Sequence, residues 1–126
     1  MSGTIRFDGT TVNAPDALAL ATFYAEITEG VAKGSAHWAA VSTGGALIAF
    51  QQVEDFAPPT WPGGSAPMQL HLDFFVDDLA ASGARATAAG ARLLEVQPND
   101  HCRVYADPAG HPFCLSTWEG QQLFDR

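Results

Sequence analysis

The chain has 126 residues, of which 47% are hydrophobic and 16% charged, enough apolar content for one domain with its own core and too little charge for a disordered segment. The formal net charge is −8, with Lys33 and five arginines against fourteen acids, a balance that repels phosphate backbones and anionic lipid surfaces and argues against nucleic-acid or membrane partners. No apolar run approaches the roughly 20 residues needed to span a bilayer, and Met1 to Arg6 lacks the pattern of a signal peptide, so a cytoplasmic protein with two free thiols, Cys102 and Cys114, is expected.

Residues 5–13 read as a strand ended by Ala14-Pro15-Asp16, where proline stops the ladder and Asp16 can cap a helix. Leu20, Phe23, Tyr24 and Ile27 then fall at i, i+3, i+4 and i+7, which predicts an amphipathic helix over about 16–29 with Gly30 as its stop. Two strands are predicted at 37–43 and 47–53, joined through Gly44-Gly45. A third strand between Gly30 and Asp55 is expected as one of these split or extended. The segment 54–67 carries four prolines and two glycines and reads as a connecting loop.

The second half begins with a clean alternation. Met68, Leu70, Leu72, Phe74 and Val76 point one way, and Gln69, His71, Asp73 and Phe75 the other, as a strand requires. Asp77-Asp78 opens an alanine-rich helix over 79–89 that ends at Gly90. Strands are predicted at 92–97, 102–106 and 113–118, the last two flanking the turn Asp107-Pro108-Ala109-Gly110. A hairpin centred on that turn sets Cys114 opposite Tyr105 and Cys102 opposite Thr117. Both halves thus read β-α-β-β-β, with Asp16 and Asp78 about 62 residues apart at the helix starts, and an internal duplication is the economical explanation.

The stretch His71-Leu72-Asp73-Phe74-Phe75-Val76-Asp77-Asp78-Leu79, followed by a helix and by Asp107-Pro108-Ala109-Gly110-His111-Pro112-Phe113-Cys114-Leu115, resembles the second module of the glyoxalase/bleomycin-resistance/dioxygenase (vicinal oxygen chelate) superfamily. Ala14-Pro15-Asp16 and Phe23-Tyr24 extend the resemblance to the first half. It implies an α+β fold of two tandem βαβββ modules, module one at about 4–55, a linker at about 56–67 and module two at about 68–119, forming a curved mixed sheet around a central cavity. It also implies a homodimer. The superfamily spans isomerases, dioxygenases, thiol transferases and proteins that sequester antibiotics, so the fold is implied more firmly than the activity.

Metal-dependent members place one ligand on the first and one on the last strand of each module. The matching positions here are His71 and Cys114 in module two, and Gly9 with Ala49 or Gln51 in module one. That set is poor for a hard divalent cation, and no resident metal is expected; the alternative is a divalent ion at His71, such as zinc held with Cys114 and with Asp73 or water. The cavity is expected to draw on Thr11, Asn13, Gln51, Gln69, Phe75, Arg103, Tyr105, Cys114 and Ser116, with Trp61 of the linker as a lid or a dimer contact. His71 and Asp73, two residues apart on one strand face, can act as a general acid–base pair on a carbonyl or epoxide substrate, or can simply satisfy each other. Arg103 can hold a ligand carboxylate or pair with Asp73. Cys114 reads as a wall-filling thiol before a nucleophile. Two functions follow: a lyase- or isomerase-type enzyme acting on a small organic molecule, or a non-catalytic protein that sequesters a drug or metabolite.

Overall fold

Each helix starts on an aspartate in extended backbone. Asp16 accepts from the Ala19 amide at 3.0 Å, and Asp78 from the Ala81 amide at 2.9 Å, satisfying amides that have no partner inside the helix. The structure, a computed structural model, describes residues 3–60, 70–97 and 99–124. The chain divides into two compact units, residues 1–56 and 57–126. Each is a βαβββ module with its own four-stranded mixed sheet, so the fold is α+β and the topology is duplicated. No helix among the described residues is long and apolar enough to cross a membrane.

The first module runs β1 (Thr10–Ala14), α1 (Ala17–Thr28), β2 (Val31–Gly34), β3 (Trp38–Ser42) and β4 (Leu47–Gln52). Its strand order is β1-β4-β3-β2, with β1 parallel to β4 and the other pairs antiparallel. The third strand is thus neither a split nor an extension of its neighbours. It is a separate element, Val31–Gly34, laid down directly after the helix. Strand β1 begins at Thr10, opposite Ile48 near the start of β4, and not near residue 5. The helix stop is Glu29, in the left-handed region at φ 58°, one residue before Gly30. Leu20, Phe23 and Tyr24 of α1 pack onto the sheet, where Tyr24 stacks on Phe50 with ring centres 5.7 Å apart.

The second module runs β5 (Leu72–Phe75), α2 (Leu79–Ala89), β6 (Arg92–Leu93), β7 (Cys102–Ala106) and β8 (Pro112–Ser116), in the order β5-β8-β7-β6. A 3-10 turn follows at Gly120–Leu123. Strand β6 is only two residues long, against the six expected for 92–97. Its ladder is taken over by a side chain: the Gln97 amide donates to the Val104 carbonyl at 3.0 Å and accepts from the Val104 amide at 2.8 Å. The turn after β7 is built on Asp107, 4% exposed, whose carboxylate accepts from the Ala109 and His111 amides.

Candidate functional site

Side chains of paired residues share a sheet face, so the register decides what each module presents away from its helix. In the second module Asp73 pairs with Cys114, and Cys114 with Val104; Phe75 pairs with Ser116, and Ser116 with Cys102. His71, Asp73, Phe75, Cys114, Ser116 and Cys102 therefore lie on one face. The opposite face carries Leu72, Phe74, Phe113, Leu115, Tyr105 and Arg103, and packs beneath α2.

The centre of the first face is an imidazole–carboxylate pair. His71 Nε2 lies 3.0 Å from Asp73 Oδ1, with side chains 27% and 66% exposed. A carboxylate on Nε2 fixes the ring's orientation, and in the neutral imidazole it leaves the proton on Nε2 and the lone pair on Nδ1. Beneath this pair is the Cys114 thiol, 4% exposed, beside the thiol of Cys102. Burial pushes the Cys114 thiol far above its usual range, and the Cys102 thiol and the negative Asp73 beside it act in the same direction. A thiol held protonated is a poor nucleophile. Both cysteines are free, as expected.

The register corrects part of the expected lining. Cys114 sits opposite Val104, not Tyr105, and Cys102 opposite Ser116, not Thr117. The cause is the turn: Ala106 pairs with Pro112 and the Asp107 amide donates to the His111 carbonyl at 2.8 Å, so the loop holds five residues, Asp107 to His111, where the expected register leaves six, Asp107 to Pro112. One residue fewer in the loop moves the whole of β7 to the other face. Tyr105 and Arg103 consequently lie on the α2 side, away from His71. Arg103 does not pair with Asp73; its Nη1 donates to the carbonyls of Asn99 and Cys102, each at 3.0 Å.

In the first module, Thr11, Asn13 and Gln51 are exposed on the sheet face turned away from α1, where Gln51 Nε2 donates to Asn13 Oδ1 at 2.7 Å. Thr11 pairs with Ala49 as Asp73 pairs with Cys114, which resolves the alternative: Ala49, not Gln51, is the counterpart of Cys114. The same face carries Lys33 and Trp38, the latter 54% exposed, paired with Ala40 and Gln51. Neither was assigned to a site from the sequence, nor was Cys102. The alternation of Trp38 with Ala40 and the corrected hairpin register would have placed Trp38 and Cys102. Trp61 and Gln69 lie outside the described residues.

The donor chemistry can be tested against the metal that the fold's metal-dependent members hold. His71, Asp73 and Cys114 offer three ligand atoms within 4.8 Å of one another. One imidazole, one carboxylate and one protonated thiol do not fit a hard cation, which prefers several oxygen and imidazole donors. The first-module counterparts, Gly9 and Ala49, have no donor side chain.

A model of the glyoxalase-like domain matches residues 9–116 of the chain. Among solved structures, the fosfomycin resistance protein FosX from Mesorhizobium loti is similar, with 16% identity, 97% of this chain and 99% of that one covered, and a TM-score of 0.68. A point mutant of the genomically encoded FosX from Listeria monocytogenes, solved with Mn(II) and 1S,2S-dihydroxypropylphosphonic acid, matches at 15% identity over 100% and 98% of the two chains with a TM-score of 0.68. A glyoxalase/bleomycin resistance protein/dioxygenase family enzyme from Burkholderia phytofirmans PsJN is 19% identical over 86% and 97%, with a TM-score of 0.64. No curated protein sequence matches significantly.

Proposed function

Because the chain belongs to the glyoxalase-like domain family, matched over residues 9–116, we propose that it binds a small carbonyl- or epoxide-bearing molecule against the His71 face of the second module and moves a proton there without a hard divalent metal. The observation that carries this reading is the 3.0 Å pair of His71 and Asp73 on the side of the sheet away from α2. Asp73 orients the imidazole and steadies it when it is charged, so His71 can take a proton from a carbon next to a carbonyl or give one to an opening epoxide oxygen. Phe75, 52% exposed on the same strand face, offers an apolar wall to the ligand, and Ser116 a hydroxyl. Cys114 is a neutral wall.

The FosX relatives are named for fosfomycin resistance, and one of those structures holds Mn(II), which supports a small polar ligand but not the same catalytic apparatus. The replacement of a hard-metal donor set by Cys114, Gly9 and Ala49 also favours a second reading, sequestration of a drug or metabolite without turnover. A homodimer belongs to the proposal on family grounds, and sedimentation velocity reads it directly.

Turnover and binding of fosfomycin and of a panel of α-hydroxyketones, measured for the wild type and for His71→Ala, separate the two readings. Acid–base catalysis predicts that kcat/KM falls by about 10²- to 10⁴-fold, the usual contribution of a positioned proton-transfer group, while affinity by calorimetry changes only a few-fold. A wild type that binds but never turns over, and loses only affinity in the variant, overturns the catalytic reading in favour of sequestration.

A further inference from the structure

The displaced residues Arg103 and Tyr105 line a groove of about 720 Å³ under α2, with Leu79, Gly83, Thr87 and Leu93 among its walls. That volume is in the range of small-molecule sites, roughly 300–1,000 Å³. Two polar groups stand out against the apolar lining. Tyr105 is 6% exposed, and its hydroxyl lies against Gly83, where a side chain would collide with it. That hydroxyl has no hydrogen-bond partner among the described residues. Arg103 uses Nη1 on two backbone carbonyls, and no carboxylate stands within ion-pair distance of it among the described residues. A half-buried arginine without an acid is unusual in a chain with fourteen acids and six cations. The arginine's charge also acts on Tyr105, opposing the rise that burial causes, so the two polar groups are electrostatic neighbours.

We propose that this groove is a second ligand site, on the sheet face opposite His71, for a monocarboxylate with an apolar body: Arg103 and the Tyr105 hydroxyl hold the carboxylate, and Leu79, Thr87 and Leu93 flank the body. The charge balance selects the class. One guanidinium and one hydroxyl match a single negative charge, whereas a phosphate dianion would be left under-neutralised in a protein of net charge −8. The site is independent of the acid–base reading, since none of its residues lies on the His71 face.

The test is an NMR titration of the full chain with octanoate, with octanamide as the neutral control. The expected result is saturable shifts at the amides of Leu79, Gly83, Leu93 and Tyr105, none at Asp73 or Cys114, and weaker binding of octanamide. Arg103→Gln should weaken octanoate by about ten- to hundredfold, as loss of a charge-assisted hydrogen bond does. Ala84→Leu, which narrows the groove and keeps Arg103, should weaken both compounds, with an unchanged amide spectrum showing that each variant folds. His71→Ala should leave octanoate binding as it was, so this proposal and the proposed function fail separately. No saturable shifts at millimolar octanoate, shifts confined to the His71 face, or equal affinity in Arg103→Gln would overturn the proposal. A dimer that Arg103→Gln dissociates, with no response to octanoate, overturns it in favour of a second copy in the groove.

Discussion

The two modules share element order, strand order, the parallel pairing of first and last strands and an aspartate at each helix start, yet they fill their interiors in opposite ways. In the first, the helix brings the bulk: α1 buries Leu20, Phe23 and Tyr24, and Tyr24 stacks on Phe50. In the second, the sheet brings it. Tyr105 stacks on Phe113 at 5.7 Å, Phe74 meets Phe113 edge-on at 5.9 Å, and α2 buries only Gly83 and Ala86. Topology is thus set by caps, turns and pairing, while the volume beneath a helix can come from either layer. A helix of small residues leaves space at its flank, and the groove with Arg103 follows from that choice. The ionisable cluster His71, Asp73 and Cys114 also belongs to the second module, whereas the first presents Thr11, Asn13 and Gln51.

The sharpest way to break this comparison is Phe50→Ala. It removes a fully buried ring from the helix-filled module and should cost about 3–5 kcal/mol in urea unfolding. A loss under about 1 kcal/mol, within the range of neutral surface changes, would show that the stacked pair does not hold that module together. Gly83→Ala probes the sheet-filled module. Alanine favours a helix by about 1 kcal/mol over glycine, but its Cβ would meet the Tyr105 hydroxyl, so a net loss of about 1–2 kcal/mol is expected. Adding Tyr105→Phe removes the collision and should restore stability; a double variant as unstable as the single one would place the strain elsewhere. The smallest effect compares like with like. Asp16→Ala and Asp78→Ala each delete one capping bond and should each cost about 1 kcal/mol. Thermal melts showing one cap neutral and the other costly would mean that the duplicated helix starts are not energetically equivalent.

How much of this was legible in the sequence depended on how local the determining chemistry is. The helix starts at Asp16 and Asp78, the span of α2 and the strand Cys102–Ala106 follow from side chains within a few residues of each other. Strand β2 was not legible, because Val31-Ala32-Lys33-Gly34 has a single β-branched residue and takes its place through tertiary neighbours, pairing with β3 and packing against α1. Strand β6 is shorter than its sequence suggests, since nothing local shows that the Gln97 side chain replaces the ladder. For the site, the neighbourhood of His71 and Asp73 could be read from their spacing, and the two meet at 3.0 Å. The far side of the site could not. Its composition turned on whether Pro112 belongs to the strand or to the turn, and that one residue exchanged Tyr105 and Arg103 for Val104 and Cys102.

The parallel contact between the first and last strands of each module bears on how the chain acquires its structure. Gln51 and Asn13 are joined across 38 residues, so this union must draw together the two extremities of the unit, at an entropic penalty that neighbouring hairpins such as β3–β4 escape. Asp73 and Cys114 occupy the matching seam of the later unit. Its chemistry is therefore assembled by the most distant encounter the segment makes, and substitutions there bear on maturation as well as on the finished protein.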